Sequence, residues 1–198
     1  MFSWRKPSDA VMQRLADRLR SESLTYDSPD GCPPPGFVDD RLSVILGSGP
    51  ASFEAARRAI RNWKMFPAIM AGLWPSRPNI QAGEIVHVLF RAGPLWTTNS
   101  CRILRVIDDA GETARFGFVY GTLPGHVERG EETFLVEWDR ATDTVTYSLR
   151  AFSRPAHWLV WLGYPYTRLQ QARFRRLSGQ SMQAAVQPQV KMPERDDR

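Results

Sequence analysis

The chain has 198 residues, 42% of them apolar, with a formal net charge of +5 and a pI near 9.6. That length suits one domain with extensions, and seven Trp and ten Phe supply enough ring area for a core. No run approaches the ~20 apolar residues of a spanning helix, the N-terminus carries early charge in place of a signal-peptide core, and two cysteines make no disulfide framework.

The expected setting is therefore the cytoplasm, with no transmembrane segment. The positive charge does not by itself imply a nucleic-acid partner, and none is expected. The basic residues are 23 Arg and 3 Lys, spread along the chain and interleaved with acids. Their densest group, Arg168, Arg173, Arg175 and Arg176, reads as a solvated helix face.

In chain order, residues 8–23 predict an amphipathic helix, with Ser8 or Asp9 as cap and Val11, Leu15 and Leu19 on one stripe. "DSPDGCPPPG" at 27–36 breaks all periodicity, and three prolines in a row favour an extended path. This divides an N-terminal helical extension, 1–25, from the main domain, 26–183. A strand is expected at 41–47, with Leu42, Val44 and Leu46 on one face. "GSG" at 47–49 then connects it to a helix that runs from Pro50 to Pro67. The GSG lacks both the dinucleotide fingerprint and the Lys-Ser/Thr end of a phosphate loop, so it reads as a connector and cap. The apolar segment 68–74 predicts a second, shorter helix before "PSRP" ends it.

From residue 84 the apolar period changes to two. Strands are expected at 84–91, 96–107, 114–121, 132–138 and 144–152, separated by turn signals such as "DDAGE". Phe116, Phe118 and Tyr120 share a face, as do Phe134, Val136 and Trp138, and Val145, Tyr147, Leu149 and Ala151. From Pro155 a long helix is expected, with Trp158, Leu159, Leu162, Tyr166, Leu169, Arg173 and Leu177 at helical spacing and a kink at Gly163 and Pro165. The tail, 184–198, is polar and proline-bearing and is expected to be disordered. This order gives an α+β fold: an antiparallel sheet of about six strands, a helix pair after the first strand, and a long C-terminal helix over the apolar face.

Four stretches carry a resemblance. They are "LGSG…F…A…W…F" at 46–66, "NSCRILRVIDD" at 99–109, "GFVYGTLPGHVERGEETFLV" at 117–136 and "SRPAHWLVWLGYP" at 153–165. Together they resemble the DUF1990 family, a domain of unknown function, over about residues 26–182. The element order resembles START-like and Bet v 1-like helix-grip proteins. That resemblance implies a curved sheet around the last helix with a cavity between them. It assigns no reaction.

The loop in "YGTLPGHVERGEE" is the candidate site. Gly121 and Gly125 permit a turn or a close approach, and His126 stands near Glu128, Glu131 and Glu132. A histidine near carboxylates suits acid/base chemistry. Glu132 is expected at the cavity mouth, with Tyr120 at the matching place on the preceding strand. Arg150 and Arg154 are expected to pair with a carboxylate or a ligand anion. The bland alternative is a hairpin that uses its glycines for geometry and its glutamates for solvation.

His87 reads as a packed strand residue and His157 as a surface residue. Three dispersed histidines and two dispersed cysteines lack zinc spacing, so no metal or cofactor is expected. The expected function is binding of a small apolar or amphipathic, lipid-like ligand. Its expected lining is Tyr120, His126, Glu132, Phe134, Arg150, Arg154, Trp158 and Leu162. One alternative is a cyclase, hydrolase or dehydratase using His126 and Glu132 as acid/base with Tyr120 as donor. A second is a protein-interaction module docking through a terminal helix.

Overall fold

A computed structural model describes residues 2–28, 31–156 and 163–187. Its elements are β1 (Phe2–Ser3), α1 (Asp9–Leu19), β2 (Val38–Ser48), α2 (Gly49–Arg61), β3 (Ala71–Trp74), β4 (Ile85–Ala92), β5 (Leu95–Asp109), β6 (Thr113–Thr122), β7 (Glu128–Asp139), β8 (Thr144–Pro155) and α3 (Tyr164–Val186). The strands form one eight-stranded sheet in the order β2-β8-β7-β6-β5-β4-β3, with β1 paired to the start of β5. Every pairing is antiparallel, and register shifts at Ile45/Gly47 and Ile103/Arg105 bend the strands. The α+β layout read from the sequence, and the helix-grip arrangement that the resemblance implied, are present, with eight strands where about six were expected.

The alternation of side chains along the strands decides what each face covers. Inward residues Leu42, Val44, Phe116, Phe118, Tyr120, Phe134, Val136, Val145, Tyr147 and Leu149 form the main core with α2 and α3. α2 starts where expected, with Ser48 at its N-cap and Pro50 in its first turn, and buries Phe53, Ala56, Ala59 and Ile60. The rings interlock tightly: Trp63 lies 4.9 Å from Phe118, and Phe66 lies 5.3 Å from Phe134 and 5.4 Å from Phe174. The middle of the space between sheet and last helix is therefore filled.

The opposite parity of β4 faces α1. Met12, Leu15, Ala16 and Leu19 pack with Ile85, Leu89 and Leu123 in a second cluster. His87 is fully buried there. Its Nε2–H donates to the Met12 carbonyl at 3.2 Å, Nδ1 meets the Ser100 hydroxyl at 2.8 Å, and the ring stacks on Trp74 at 5.3 Å. Burial pushes its pKa down to about 4, so it packs as a neutral ring.

Three expectations change. Segment 68–74 does not form a second helix: a turn ends at Met70 and Ala71–Trp74 pairs with His87–Phe90 as an edge strand. A short apolar run serves either state, and here pairing with β4 decides. Pro155 does not begin the last helix; it ends β8, opposite Glu128, while α3 starts at Tyr164 with Pro165 in its first turn. The buried stripe of α3 is Phe174, Ser178, Gly179, Met182 and Val186, leaving Tyr166 and Leu169 exposed. Trp158 and Leu162, expected as ligand contacts, and His157 lie outside the described residues.

Candidate functional site

The site grows from the β6–β7 hairpin. Tyr120 and Glu132 are directly opposed in the register, so their side chains leave the sheet on the same inward face. The Tyr120 hydroxyl donates to Glu132 Oε2 at 2.5 Å. Between the strands the turn is closed by His126 N–H to the Leu123 carbonyl. Two further donors fix the loop: Glu128 N–H to His126 Nδ1 at 2.9 Å and Gly130 N–H to Thr122 Oγ1 at 2.9 Å. Gly121 is a close-approach glycine, since a Cβ there would collide with the Tyr26 hydroxyl.

These residues open onto a cavity of about 90 Å³ lined by Asp40, Tyr120, Thr122, His126, Glu128, Glu131, Glu132, Ser153, Gln171 and Arg175, among others. Its walls come from β2, β6, β7, β8 and α3. Arg168 binds Asp40 through both terminal nitrogens, at 2.5 and 2.8 Å, and Arg175 reaches the same carboxylate at 3.0 Å. Gln171 Nε2 donates to Glu128 Oε1 at 2.6 Å, and the Tyr26 hydroxyl donates to Glu131 Oε2 at 2.9 Å. A third tyrosine, Tyr147, shares a buried hydrogen bond with Ser178 at 2.8 Å and joins sheet to helix behind the cavity.

The electrostatics separate the carboxyls. Burial pushes Glu132 up to about 7, partly opposed by the Tyr120 hydrogen bond and raised again by Glu128. Burial raises Glu128 too, against its bond from Gln171. At Asp40, burial works in the same upward direction, but the two guanidiniums override it and hold the carboxyl below its usual range. Burial drives His126 down to about 3. With Nδ1 already accepting from Glu128 N–H, the neutral ring carries its proton on Nε2. At neutral pH His126 is thus a neutral ring whose free nitrogen is a hydrogen-bond donor.

Tyr120, His126 and Glu132 all line this cavity, Tyr120 and Glu132 from opposed positions of β6 and β7 and His126 from the loop between them. Phe134 does not line the cavity; it is fully buried beside Tyr120, with ring centroids 5.5 Å apart. Arg150 and Arg154 do not line it either. They sit on the opposite parity of β8, where Arg150 pairs with Asp39 at 3.1 Å. Arg175 supplies the cation instead, which corrects the view of the late arginines as a purely solvated face. The signal was present in part: Arg168, Gln171 and Arg175 recur at helical spacing on one stripe.

Glu132 makes a testable contribution. Its folded pKa lies above the ordinary carboxyl value, so the native state holds a proton that the unfolded chain releases between about pH 4.5 and 7. Stability therefore falls as pH rises through that window. Glu132→Gln removes the ionisation and is expected to gain on the order of 1 kcal/mol relative to the parent at pH 8, and little at pH 4.5. Urea denaturation at both pH values checks this; equal differences at the two would refute it.

A second space adjoins the first. A groove of about 440 Å³ runs between the start of α3, the 67–70 turn and the β4–β5 edge. Ile69, Met70, Phe90, Tyr166 and Phe174 line it, and His126, Glu128 and Gln171 are common to groove and polar cavity. Among the described residues no group of His, Cys, Asp and Glu is arranged to hold a metal ion, and no helix is long and apolar enough to cross a membrane.

Sheet, helix and end cavity together define an α+β helix-grip domain with a small acidic cavity that shares three lining residues with an apolar-lined groove. The chain belongs to the DUF1990 family, whose model, described as a domain of unknown function, matches residues 21–181. It is 33% identical to a UPF0548 protein of Dictyostelium discoideum over 88% of this chain and 90% of that one. It is 30% identical to a UPF0548 protein of Arabidopsis thaliana, covering 91% and 95%. A UPF0548 protein of Deinococcus radiodurans is 36% identical over 79% and 84%. Among solved structures, ginseng major latex-like protein 151 aligns with a TM-score of 0.44 at 16% identity, over 77% of this chain and 99% of that one. Human STARD10 aligns with a TM-score of 0.43 at 11% identity, over 92% and 80%.

Proposed function

We propose that the protein binds a small amphipathic ligand, its apolar body in the groove and its polar end in the acidic cavity. The observation that carries this is a shared wall: His126, Glu128 and Gln171 line both spaces, which sets apolar walls and hydrogen-bonding groups within reach of one molecule of modest length. The groove wall offers Met70, Phe90 and Phe174; the cavity offers the His126 donor and the carboxylates. The reading places the protein in the cytoplasm, a setting in which its free cysteines, exposed Cys32 and buried Cys101, stay reduced.

Titration with the amphipathic fluorophore anilinonaphthalene sulfonate tests the groove. The parent protein is expected to bind it saturably. Gln170→Trp, which fills the groove from α3, is expected to weaken binding about tenfold or more, roughly 1.4 kcal/mol. Native mass spectrometry of the freshly purified chain is the companion measurement. No saturable fluorescence, or an unchanged affinity in the filled variant, would remove the proposal.

One observation favours a second reading, a cavity-based enzyme. Glu132 titrates near 7 and is held by the Tyr120 hydroxyl at 2.5 Å, which suits a carboxyl that both gives and takes a proton at neutral pH. In that reading Glu132 is the acid/base and Tyr120 and His126 are donors to the ligand.

A further inference from the structure

The groove opens onto a rim with an uneven chemistry. Ile69 stands 81% exposed on the 67–70 turn, Tyr166 54% exposed on the first turn of α3, and Phe2 38% exposed on β1. These come from three separate elements, yet all three line the same opening. Two arginines share it, Arg91 from β4 and Arg173 from α3, both exposed. Leu169, 64% exposed, lies between Tyr166 and Arg173 at three- and four-residue spacing, which puts the three on one face of α3. Of the described residues lining the groove, the only carboxylate is Glu128, which sits deeper and accepts from Gln171.

We propose that this rim docks on an anionic lipid surface. Scattered large apolar side chains around an opening suit a deformable surface into which each inserts by itself, to the depth of the headgroup boundary. The rim's charge selects the sign: two guanidiniums with no unpaired carboxylate among the described residues lining the groove are complementary to acidic headgroups, each contributing about 1 kcal/mol near such a surface. The chain's overall charge of +5 acts in the same direction at longer range. Tyr166 has the ring-and-hydroxyl form that rests at a lipid–water boundary. Docked this way, the groove faces the bilayer. The inference stands apart from ligand binding, because an empty groove would dock equally.

Vesicle flotation of the full chain tests it, using phosphatidylcholine alone and phosphatidylcholine enriched in phosphatidylserine. The parent is expected to float with the serine-containing vesicles at low salt and to be released as salt rises. Ile69→Glu with Tyr166→Glu, and separately Arg91→Glu with Arg173→Glu, are each expected to reduce binding about tenfold or more. Arg14→Glu with Arg18→Glu makes the same charge change on exposed positions of α1, across the sheet, and is expected to change binding less than about twofold. In the Ile69→Trp variant, emission from the added indole is expected to shift to the blue on the acidic vesicles, which reports insertion at that position. Failure to float, equal binding to both lipid mixtures, an α1 variant as impaired as the rim variants, or unshifted emission in Ile69→Trp would each overturn the proposal.

Discussion

Replacing Gly130 with alanine is expected to cost about 4 kcal/mol or more and to leave little folded protein near its normal denaturation midpoint. Gly130 lies in β7, a central strand paired on both sides, opposite Ser153. Its φ is +150°, and an added Cβ would land on the Phe152 carbonyl and 2.9 Å from Ser153 Cα. These are backbone atoms of the neighbouring strand. They cannot rotate away as a side-chain tip can, so relief requires opening the β7–β8 ladder. The same movement would pull Gly130 N–H from Thr122 Oγ1, and Thr122 is part of the cavity wall. Gly125→Ala is the matched control. Its φ is +88° but nothing stands within 4 Å of the added atom, so only a conformational cost of about 1 kcal/mol is expected. Urea denaturation of both variants decides the matter. A midpoint for Gly130→Ala close to that for Gly125→Ala would show that the ladder yields more readily than its geometry implies.

Asp40→Ala is expected to destabilise by about 2–3 kcal/mol and to loosen α3 from the sheet. Asp40, on β2, is the common partner of Arg168 and Arg175, residues far along the chain on α3. Its side chain is 11% exposed, with the two arginines at 28% and 18%. Removing the carboxylate leaves two partly desolvated cations facing each other. That is why the loss exceeds what an exposed pair supplies, and partial exposure keeps it below the figure for a fully buried pair. The pH dependence follows from the sign of the shift. The folded pKa of Asp40 is depressed, so its stabilising effect is complete above the unfolded value of about 4. It is lost as pH falls through the lower folded value. The difference between parent and Asp40→Ala should therefore be largest at neutral pH and shrink in acid. Hydrogen exchange should show faster opening of α3 in the variant. A variant as stable as the parent at pH 7, with α3 equally protected, would mean the cluster is neutral to folding.

The meander and its facing were legible because they depend on local information. Phe116, Phe118 and Tyr120, then Phe134, Val136 and Trp138, alternate with period two, and Asp/Gly turns between strands leave antiparallel pairing as the short solution. The opposition of Tyr120 and Glu132 follows from that parity once the loop is closed. The site's other half was less visible. Arg175 and Asp40 meet across most of the chain's length, and no local pattern distinguishes an arginine bound to such a partner from one in water. Arg150 and Arg154 were plausible by position, yet the pleat of β8 sends them to the far face.

Composition and periodicity thus determined the class of this protein: an antiparallel sheet with an aromatic inner face, covered by helices, without a cysteine framework or zinc spacing. Tertiary structure alone decided the rest. It made 71–74 a strand, because an open edge of β4 was there to pair. It filled the middle with rings, because Phe66 and Phe174 arrive there from separate parts of the chain, and set a polar cavity beside Glu132. Parity along a strand is set within a few residues, whereas who fills a space depends on every element that reaches it.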